Sequence, residues 1–515
     1  MSESSSKKSI ISSTMWVSLL AVFIKFLGLV KQSVLAAYCG ATEETDMFFI
    51  VSGVLVMLCT MIFSAISVSL LIMHTDKLMH EGRESANDLI NKVLRSFLPV
   101  SVLITLFFIV AAPWVAKFLA PTYSPEQILV MAKYIRMMSA VFILWCYFLT
   151  INVVLETDKR FIPGRGQNLF QNIFLILAAI FVYSRTGIGS LIWAFLLSAI
   201  AECILVTWCA RKQFRLIWGR LQTPSSEIKK LYKLAFPLII GSAVYEVNDI
   251  VDKQISSSLG EGCVSYLTYG STINEIVTGV IVMAMSTVLF THFATWVSEG
   301  NLQKLERMLK VSVTYLILVI FPIITMCTFA GDDIVRIFYQ RGSFGETEVY
   351  YTYWVSVGYA AGFIFSSVRA VMVKVFYAFK DTRRAMINGI VSVALNITLS
   401  LTLSRFIGVW GIALATSIAM LLSVIFMTFQ IRAHLPSFSF ASERSEIAKG
   451  LSAFAVSSLC VYMITLYLPI GSMFLSFVVK GIVCIMVYAL SLILTKSAIA
   501  QTIQAFITTH IRNNN

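Results

Sequence analysis

In the segment AVYEVNDIVDKQI, Glu246, Asp249 and Lys253 follow one another at i, i+3 and i+7, a spacing that places all three side chains on one face of an α-helix. Asp249 and Lys253 stand in the acid-then-base i,i+4 order that favours an ion pair along a helix. Asp252 adds a third carboxylate and Glu275 a fourth in the next apolar run, so acids outnumber the single lysine. Such a face either neutralises itself inside a helix bundle or walls a hydrated cavity. The surplus of acid favours a cavity wall that binds a coupling cation or balances charge. Positive charge of the kind that holds phosphate comes from Lys25 and Lys31 in the first apolar run and from Arg369 and Lys374 in a later one. Lys31 and Lys374 lie near enough to an end to snorkel to the interface, whereas Lys25 sits too deep for that. Lys25 and Lys31 point about 120° apart around a helix, which fits a broad cavity rather than one narrow stripe. Arg136 and Glu202 are weaker candidates and read as structural.

The elements that carry these charges are long apolar runs. The chain has 515 residues, 58% hydrophobic and 13% charged, with mean hydropathy +0.82. Soluble domains carry roughly 25% charged residues, so this composition describes a polytopic membrane protein. Fourteen spans are expected near 15–37, 47–73, 96–120, 129–154, 161–183, 188–209, 234–257, 262–292, 309–330, 349–377, 385–404, 408–430, 447–468 and 473–495. At 1.5 Å per residue each crosses a hydrocarbon core of about 30 Å. A charge at mid-membrane costs roughly 2.5–3.5 kcal/mol, so the charged residues must face one another or water.

Lys and Arg cluster in alternate connections. One set holds Lys7 and Lys8; Lys77, Arg83, Lys92 and Arg95; Lys159, Arg160 and Arg165; Arg211 through Lys233; Lys304, Arg307 and Lys310; and Lys380, Arg383 and Arg384. The other set is nearly bare, with Arg185 the one basic residue between Ser184 and Ile188. The positive-inside rule then puts both termini in the cytoplasm, which requires an even number of spans. The net charge of +13 is thereby a topology signal dispersed over loops beside anionic lipid, and nucleic acid is not an expected partner.

Catalytic chemistry finds no support. There is no GxxxxGK[ST] loop and no HExxH, and His74, His80, His292, His434 and His510 are scattered over membrane edges and termini. A membrane glycosyltransferase would need reactive side chains on a sizeable outer loop, and the longest outer connection runs only from about Gly331 to Glu348. No removable signal peptide is visible in MSESSSKKSIISS. The nine cysteines have no CxxC pair and read as buried apolar residues, with Cys39 and Cys263 the two loop thiols. No catalytic residue, metal site or cofactor is expected; coupling would be to Na+, H+ or the membrane potential.

The chain also repeats itself at an offset of about 220 residues. VKQSVLAAYCG from Val30 falls on VDKQISSSLGEG from Val251, WVAKFLAP from Trp114 near IVRIFYQR from Ile334, and LETDKRFIP from Leu155 on AFKDTRRAM from Ala378. Three matches in order imply a duplicated unit of six spans. Because six is even, the copies run parallel, related by an axis along the membrane normal, as in transporters that rock two bundles around a central site. The expected fold is therefore an all-α polytopic membrane protein. Its parts would be a lobe at 1–220, a second at 221–435, and two extra helices with a cytoplasmic tail at 436–515.

Several segments resemble the MviN/MurJ family of lipid II flippases, within the multidrug/oligosaccharidyl-lipid/polysaccharide exporter superfamily. VFYAFKDTRRAM from Val375 is similar to its FYAxxDTRTP signature. FYQRGSF from Phe338, AAPWVAKFLAPTY from Ala111, VNDIVDKQISSSLGEGCVSYLTYG from Val247, STVLF from Ser286 and LGLVKQSVLAAYCGATEETDMFF from Leu27 look like family segments in the same order. The resemblance covers roughly 15–430.

It implies two six-helix lobes around a V-shaped cavity and alternating access. An undecaprenyl-pyrophosphate-linked sugar would cross the bacterial cytoplasmic membrane, with lipid II the leading cargo and a monomer the functional unit. It places Lys25, Lys31 and Asp46 at functionally important positions, and Arg369 joins them as a contact to the head group. Glu246, Asp249, Asp252, Lys253 and Glu275 would supply coupling or cavity charge. Membrane lipids are the other expected partners, and the last two helices would offer a groove for the prenyl tail. This chain departs from the family where Lys replaces Arg at positions 25 and 31. It also has no Lys or Arg from Met47 to Met73 or from Gln254 to Gln303, with Thr272 where Arg is expected. Two other cargoes stay open: another lipid-linked polysaccharide unit, and small amphipathic solutes exported by cation coupling.

Overall fold

The computed structural model describes residues 2–214, 226–468 and 470–502. The side chains of 2–19, 165, 167, 237, 240–242, 244–245, 276–284 and 286–288 fall outside that description. Arg215, Arg220 and the side chains of Lys7, Lys8 and Arg165, all used above for orientation, therefore lie outside the described residues. Among those described there are helices and no strand. Ten helices or continuous helix pairs are long and apolar enough to cross a membrane, and a pair bent by 41° at residues 361–362 makes an eleventh. The other expected spans, 161–183, 234–257 and 262–292, fall on helices, but fourteen is not reached on length and composition among the described residues.

Packing divides the chain into two compact units. The first comprises Met1–Ser265 with Gly342–Phe344. It contains α1 (Ser2–Cys39), α2 (Glu43–Cys59), α3 (Ala65–His80), α4 (Arg83–Leu119), α5 (Pro125–Met138), α6 (Val141–Thr157), α7 (Ile162–Phe181), the short α8 (Tyr183–Thr186), α9 (Gly189–Ala210) and α10 (Ser226–Ser257). A π turn, Thr60–Ser64, carries α2 into α3, so the second expected span is one helix with a bulge. Within this unit α1 packs on α7, α7 on α9, α9 on α6, and α6 on α3 and α4.

The second unit comprises Tyr266–Arg341 and Gly345–Asn515. It holds most of α11 (Cys263–Ser298), then α12 (Leu302–Phe329), α13 (Gly331–Tyr339), α14 (Glu346–Ala360), α15 (Phe363–Ala378), α16 (Thr382–Ile407), α17 (Trp410–Ile431), α18 (Arg444–Tyr467) and α19 (Met473–Leu494). Here α17 is central, packed by α14, α15 and α16, while α12 joins α15 to α18. Lipid tails are as apolar as leucine, so close approach at small residues must do much of the holding. A Cβ on Gly358 would lie 2.9 Å from that of Ala413, and one on Gly362 would lie 2.5 Å from Ser417 Oγ. The Ser417 hydroxyl donates to the Gly358 carbonyl at 2.5 Å, closing the same seam.

The division by packing does not coincide with the lobe boundary at 220. α10 opens the second copy of the repeat in sequence yet packs against α2, α3 and α4. Both of its ends are tied there. At its N-terminal end Glu227 accepts from Lys77 at 2.5 Å and Lys92 at 3.0 Å. Burial works to raise the Glu227 carboxyl, but the two ammonium groups outweigh it and hold it below the usual carboxylate range. At the other end Gln254 donates to the Phe118 carbonyl at 2.7 Å and Ser257 to that of Leu119 at 3.3 Å.

The duplication is also visible in the backbone. Left-handed residues recur about 220 positions apart: Gly82 and Gly300, Lys159 and Lys380, Gly187 and Gly408. Lys159 (φ 60°) and Lys380 (φ 58°) are costly for side chains with a Cβ, and each sits just past a helix. In both places the next residue closes a long turn, Arg160 N–H to the Leu155 carbonyl and Asp381 N–H to that of Phe376, each at 2.8 Å. These bonds pair Leu155 with Phe376. The register read from LETDKRFIP and AFKDTRRAM, which paired Leu155 with Ala378, is therefore shifted by two residues. The shared aspartate drew the sequence match away from the shared backbone.

Candidate functional site

The first unit carries seven of the nine expected site residues, on α1, α2 and α10. Lys25 on α1 is exposed and makes no hydrogen bond or ion pair among the described residues, although apolar residues surround it in sequence. Lys31, nearly two turns on, is half-buried.

Asp46 is fully buried near the start of α2, where the Thr42 hydroxyl caps the helix by accepting from Thr45 N–H. Its Oδ1 accepts from Ser265 N–H at 2.7 Å and from Ser265 Oγ at 2.6 Å, so the carboxyl caps the first turn of α11. Its Oδ2 is buried with no hydrogen-bond partner. In this conformation Asp46 is closed to a head group, unlike Lys25. The bond spans 219 positions of sequence and left no local signal.

On α10 the expected pair is present: Lys253 Nζ donates to Asp249 Oδ2 at 2.6 Å. Its two members differ in access, with 13% of the Lys253 side chain exposed against 54% of Asp249. Lys253 is enclosed because its ammonium lies against α2 at Gly53, where a Cβ would come within 2.1 Å of Nζ. Glu246 is half-buried, and Asp252 is buried, accepting from Asn248 Nδ2 at 3.1 Å. The helix thus presents Glu246 and Asp249 as its accessible carboxylates and turns Asp252 inward.

In the second unit Arg369 on α15 is tethered. Its Nε donates to Ser423 Oγ at 3.0 Å and to Asn388 Oδ1 at 3.4 Å. Ser423 and Asn388 are fully buried and bond each other at 2.7 Å and 3.0 Å, joining α15, α16 and α17. Glu275 on α11 is exposed. Lys374 lies 5.6 Å from the Tyr377 ring and 5.9 Å from that of Phe290, cation–π distances that keep it near aromatic faces.

Sequence reasoning missed a buried pair in this unit. Lys480 on α19 donates to Asp333 on α13 at 2.6 Å, and Ser476 donates to the same oxygen at 3.0 Å. Lys480 is the one charge inside its apolar run, which was the available signal; its partner lies 147 residues away. Nearby, Arg336 makes a bidentate pair with Glu346 at 2.7 Å and bonds Asp332 at 2.6 Å. Of the weaker candidates, Arg136 donates to the Ile109 carbonyl at 3.2 Å, and Glu202 is buried with Oε2 unpartnered. No three His, Cys, Asp or Glu side chains converge as a metal cage among the described residues.

The lipid II flippase MurJ family matches residues 35–502, a range that takes in α18 and α19. The chain belongs to that family. It is accordingly a transporter embedded in a membrane, not an enzyme. It is 24% identical over 448 residues to a probable lipid II flippase MurJ of Treponema pallidum (strain Nichols), covering 82% of each chain. A counterpart in Thermotoga maritima is 24% identical over 435 residues, covering 83% of this chain and 86% of the other. A solved lipid II flippase MurJ in an inward closed conformation superposes with TM-score 0.77 at 22% identity, covering 93% of this chain and 98% of that one. An inward-facing multidrug resistance MATE family transporter of the MOP superfamily gives 0.69 at 14% identity, over 82% and 96%. These structures show a shared all-helical fold.

Proposed function

We propose that this protein carries a lipid-linked glycan, lipid II foremost, from the inner to the outer leaflet of the bacterial cytoplasmic membrane by alternating access, with both termini cytoplasmic. The observation that carries the reading, beside membership of the family, is Lys25: an exposed cation with no partner among the described residues, deep in an apolar run. A charge costs too much there to be idle, and a pyrophosphate needs cationic, hydrated surroundings while its prenyl tail stays in lipid. Lys25 and Lys31 contact the pyrophosphate, and the accessible Glu246 and Asp249 bind a coupling cation or balance charge between the two states. Arg369 supports this from a fixed position, and Asp46 responds to the conformational change by releasing or holding Ser265. Glu275, Asp252 and Lys253 adjust the charge around them.

The test is complementation of a strain depleted of its lipid II flippase, with membrane abundance measured for each variant. Wild type restores growth, whereas Lys25→Ala and Asp249→Ala do not. A well-expressed wild type that fails to rescue removes lipid II as cargo. A second reading, cation-coupled export of small amphipathic solutes, is favoured by the accessible acids on α10 and by the lack of Lys and Arg from Gln254 to Gln303. Rescue by the wild type separates the two.

A further inference from the structure

The first unit contains a second feature that the transport reading does not use. A groove of about 740 Å³ runs between α5, α7 and α9, walled by apolar side chains that include Leu177, Phe181, Trp193 and Leu197. These four are 49%, 68%, 57% and 49% exposed, as lipid-facing side chains of a spanning helix are, and here they line a concave channel. From Phe174 to Phe181 on α7, and from Gly189 to Leu197 on α9, the walls run about eight residues each. That is about 12 Å of helix, close to the thickness of one leaflet of a hydrocarbon core of about 30 Å. The ends of α7 and α9 that meet there flank the connection from Ser184 to Ile188, whose one basic residue is Arg185; on the orientation proposed above, with both termini cytoplasmic, the groove opens at the outer face and occupies the outer leaflet.

Its mouth is cationic. Lys133 of α5 lines the groove beside Thr186 and Ser190, is exposed, and makes no ion pair or hydrogen bond among the described residues. Arg185, next to Thr186, is likewise exposed and without a side-chain partner among them. It is also the one basic residue in its outer connection, an exception to the charge bias that sets topology. Two cations outside any ion pair among the described residues, Lys133 in the lining and Arg185 next in the chain to Thr186, outnumber the one carboxylate beside them, Glu44, whose Oε2 would lie 3.7 Å from a Cβ on Gly187, while the Thr186 and Ser190 hydroxyls are spent on the Val182 and Gly187 carbonyls. This surplus of positive charge above an apolar channel one leaflet deep, with an indole in its wall, matches an amphiphile with an anionic head and a hydrocarbon tail.

We infer that this groove is a binding site for an outer-leaflet anionic glycerophospholipid, its phosphate held by Lys133 and Arg185 and one acyl chain laid along Leu177, Phe181, Trp193 and Leu197. The occupant is a resident lipid, independent of the transported cargo. It braces α5 against α7 and α9, filling a channel that would otherwise expose the inner walls of three helices.

Quenching of Trp193 by lipids with brominated acyl chains tests the assignment, using full-length protein in nanodiscs and subtracting the signal of Trp193→Phe. Phosphatidylglycerol and phosphatidylcholine with identical chains are compared. The wild type favours phosphatidylglycerol at Trp193 by about tenfold, the size expected of a charge-assisted contact. The double variant Lys133→Ala/Arg185→Ala brings that ratio to about one, since both residues are exposed and their loss leaves the fold intact. Gly189→Leu, at a position where a Cβ meets no atom within 4 Å, obstructs the channel and weakens both lipids alike. Equal quenching by the two lipids in the wild type overturns the proposal and leaves ordinary annular lipid. A head-group preference unchanged in the double variant overturns the assignment to Lys133 and Arg185.

Discussion

Lys25 and Arg369 carry the same charge in apolar helices of the two units, and their surroundings differ completely. Arg369 is fixed by Ser423 and Asn388, themselves buried and mutually bonded, so its charge is part of how α15, α16 and α17 fit together. Lys25 is exposed and held by nothing among the described residues. A tethered cation contributes to stability and a free one does not, yet both incur the expense of a charge in an apolar run. On the function proposed above, the free cation is the one that a ligand satisfies.

Substitutions can break or sharpen that contrast. The largest effect is expected from Lys25→Ala, which should abolish transport while leaving thermal stability within about 0.5 kcal/mol, because no partner among the described residues is lost. An equally large loss of stability would show that Lys25 has a structural role after all. Next comes the buried pair of the second unit: Asp333→Asn or Lys480→Met leaves a lone buried charge and should cost about 3–5 kcal/mol in thermal unfolding. The double apolar replacement Asp333→Leu/Lys480→Leu should recover most of it, as removal of both partners costs little. Arg369→Gln should lose about 1.5–3 kcal/mol, the worth of hydrogen bonds to a charged group, with transport reduced only in part. If it behaves as Lys25→Ala does, stable but inactive, the two cations share one role and the contrast fails.

Smaller effects should follow at two further sites. Gly53→Ala places a methyl where the Lys253 ammonium rests; the flexible lysine can move, so folding should survive while the Asp249 pair and the transport rate change. At the start of α16, Asp381 accepts from His434 Nε2 at 2.8 Å and from Arg384. Partial burial works to raise its carboxyl, but hydrogen bonds from His434 and from the Arg384 side chain and backbone outweigh this and hold it at about 2. Because the folded value is depressed below 3.8, its contribution is fully present above that pH and lost as pH falls through about 2. Asp381→Asn should therefore be less stable than wild type at pH 7, with the gap closing in acid unfolding between about pH 4 and 2. A gap that persists at pH 2 would place its origin elsewhere.

Much of this was legible in the sequence, and what was not has a common cause. Periodicity and length revealed the helices, and the i,i+4 rule anticipated the Asp249–Lys253 pair because both partners share one helix. The family resemblance, carried by segments such as FYQRGSF and VFYAFKDTRRAM, was also open to reading. Asp46 with Ser265, and Asp333 with Lys480, join residues far apart in the chain, so no local pattern announces them. The repeat was visible in three segments, yet its true register at the third lay in left-handed lysines that composition does not mark. The packing of α10 with the first unit depended on Glu227 finding Lys77 and Lys92, another long-range event.

The most direct measurement is translocation of fluorescent lipid II in proteoliposomes by purified wild type and Lys25→Ala, with Arg369→Gln alongside. The account predicts translocation by the wild type, loss of at least about tenfold in Lys25→Ala at unchanged thermal stability, and intermediate transport in the less stable Arg369→Gln. Wild-type rates from Lys25→Ala would contradict it.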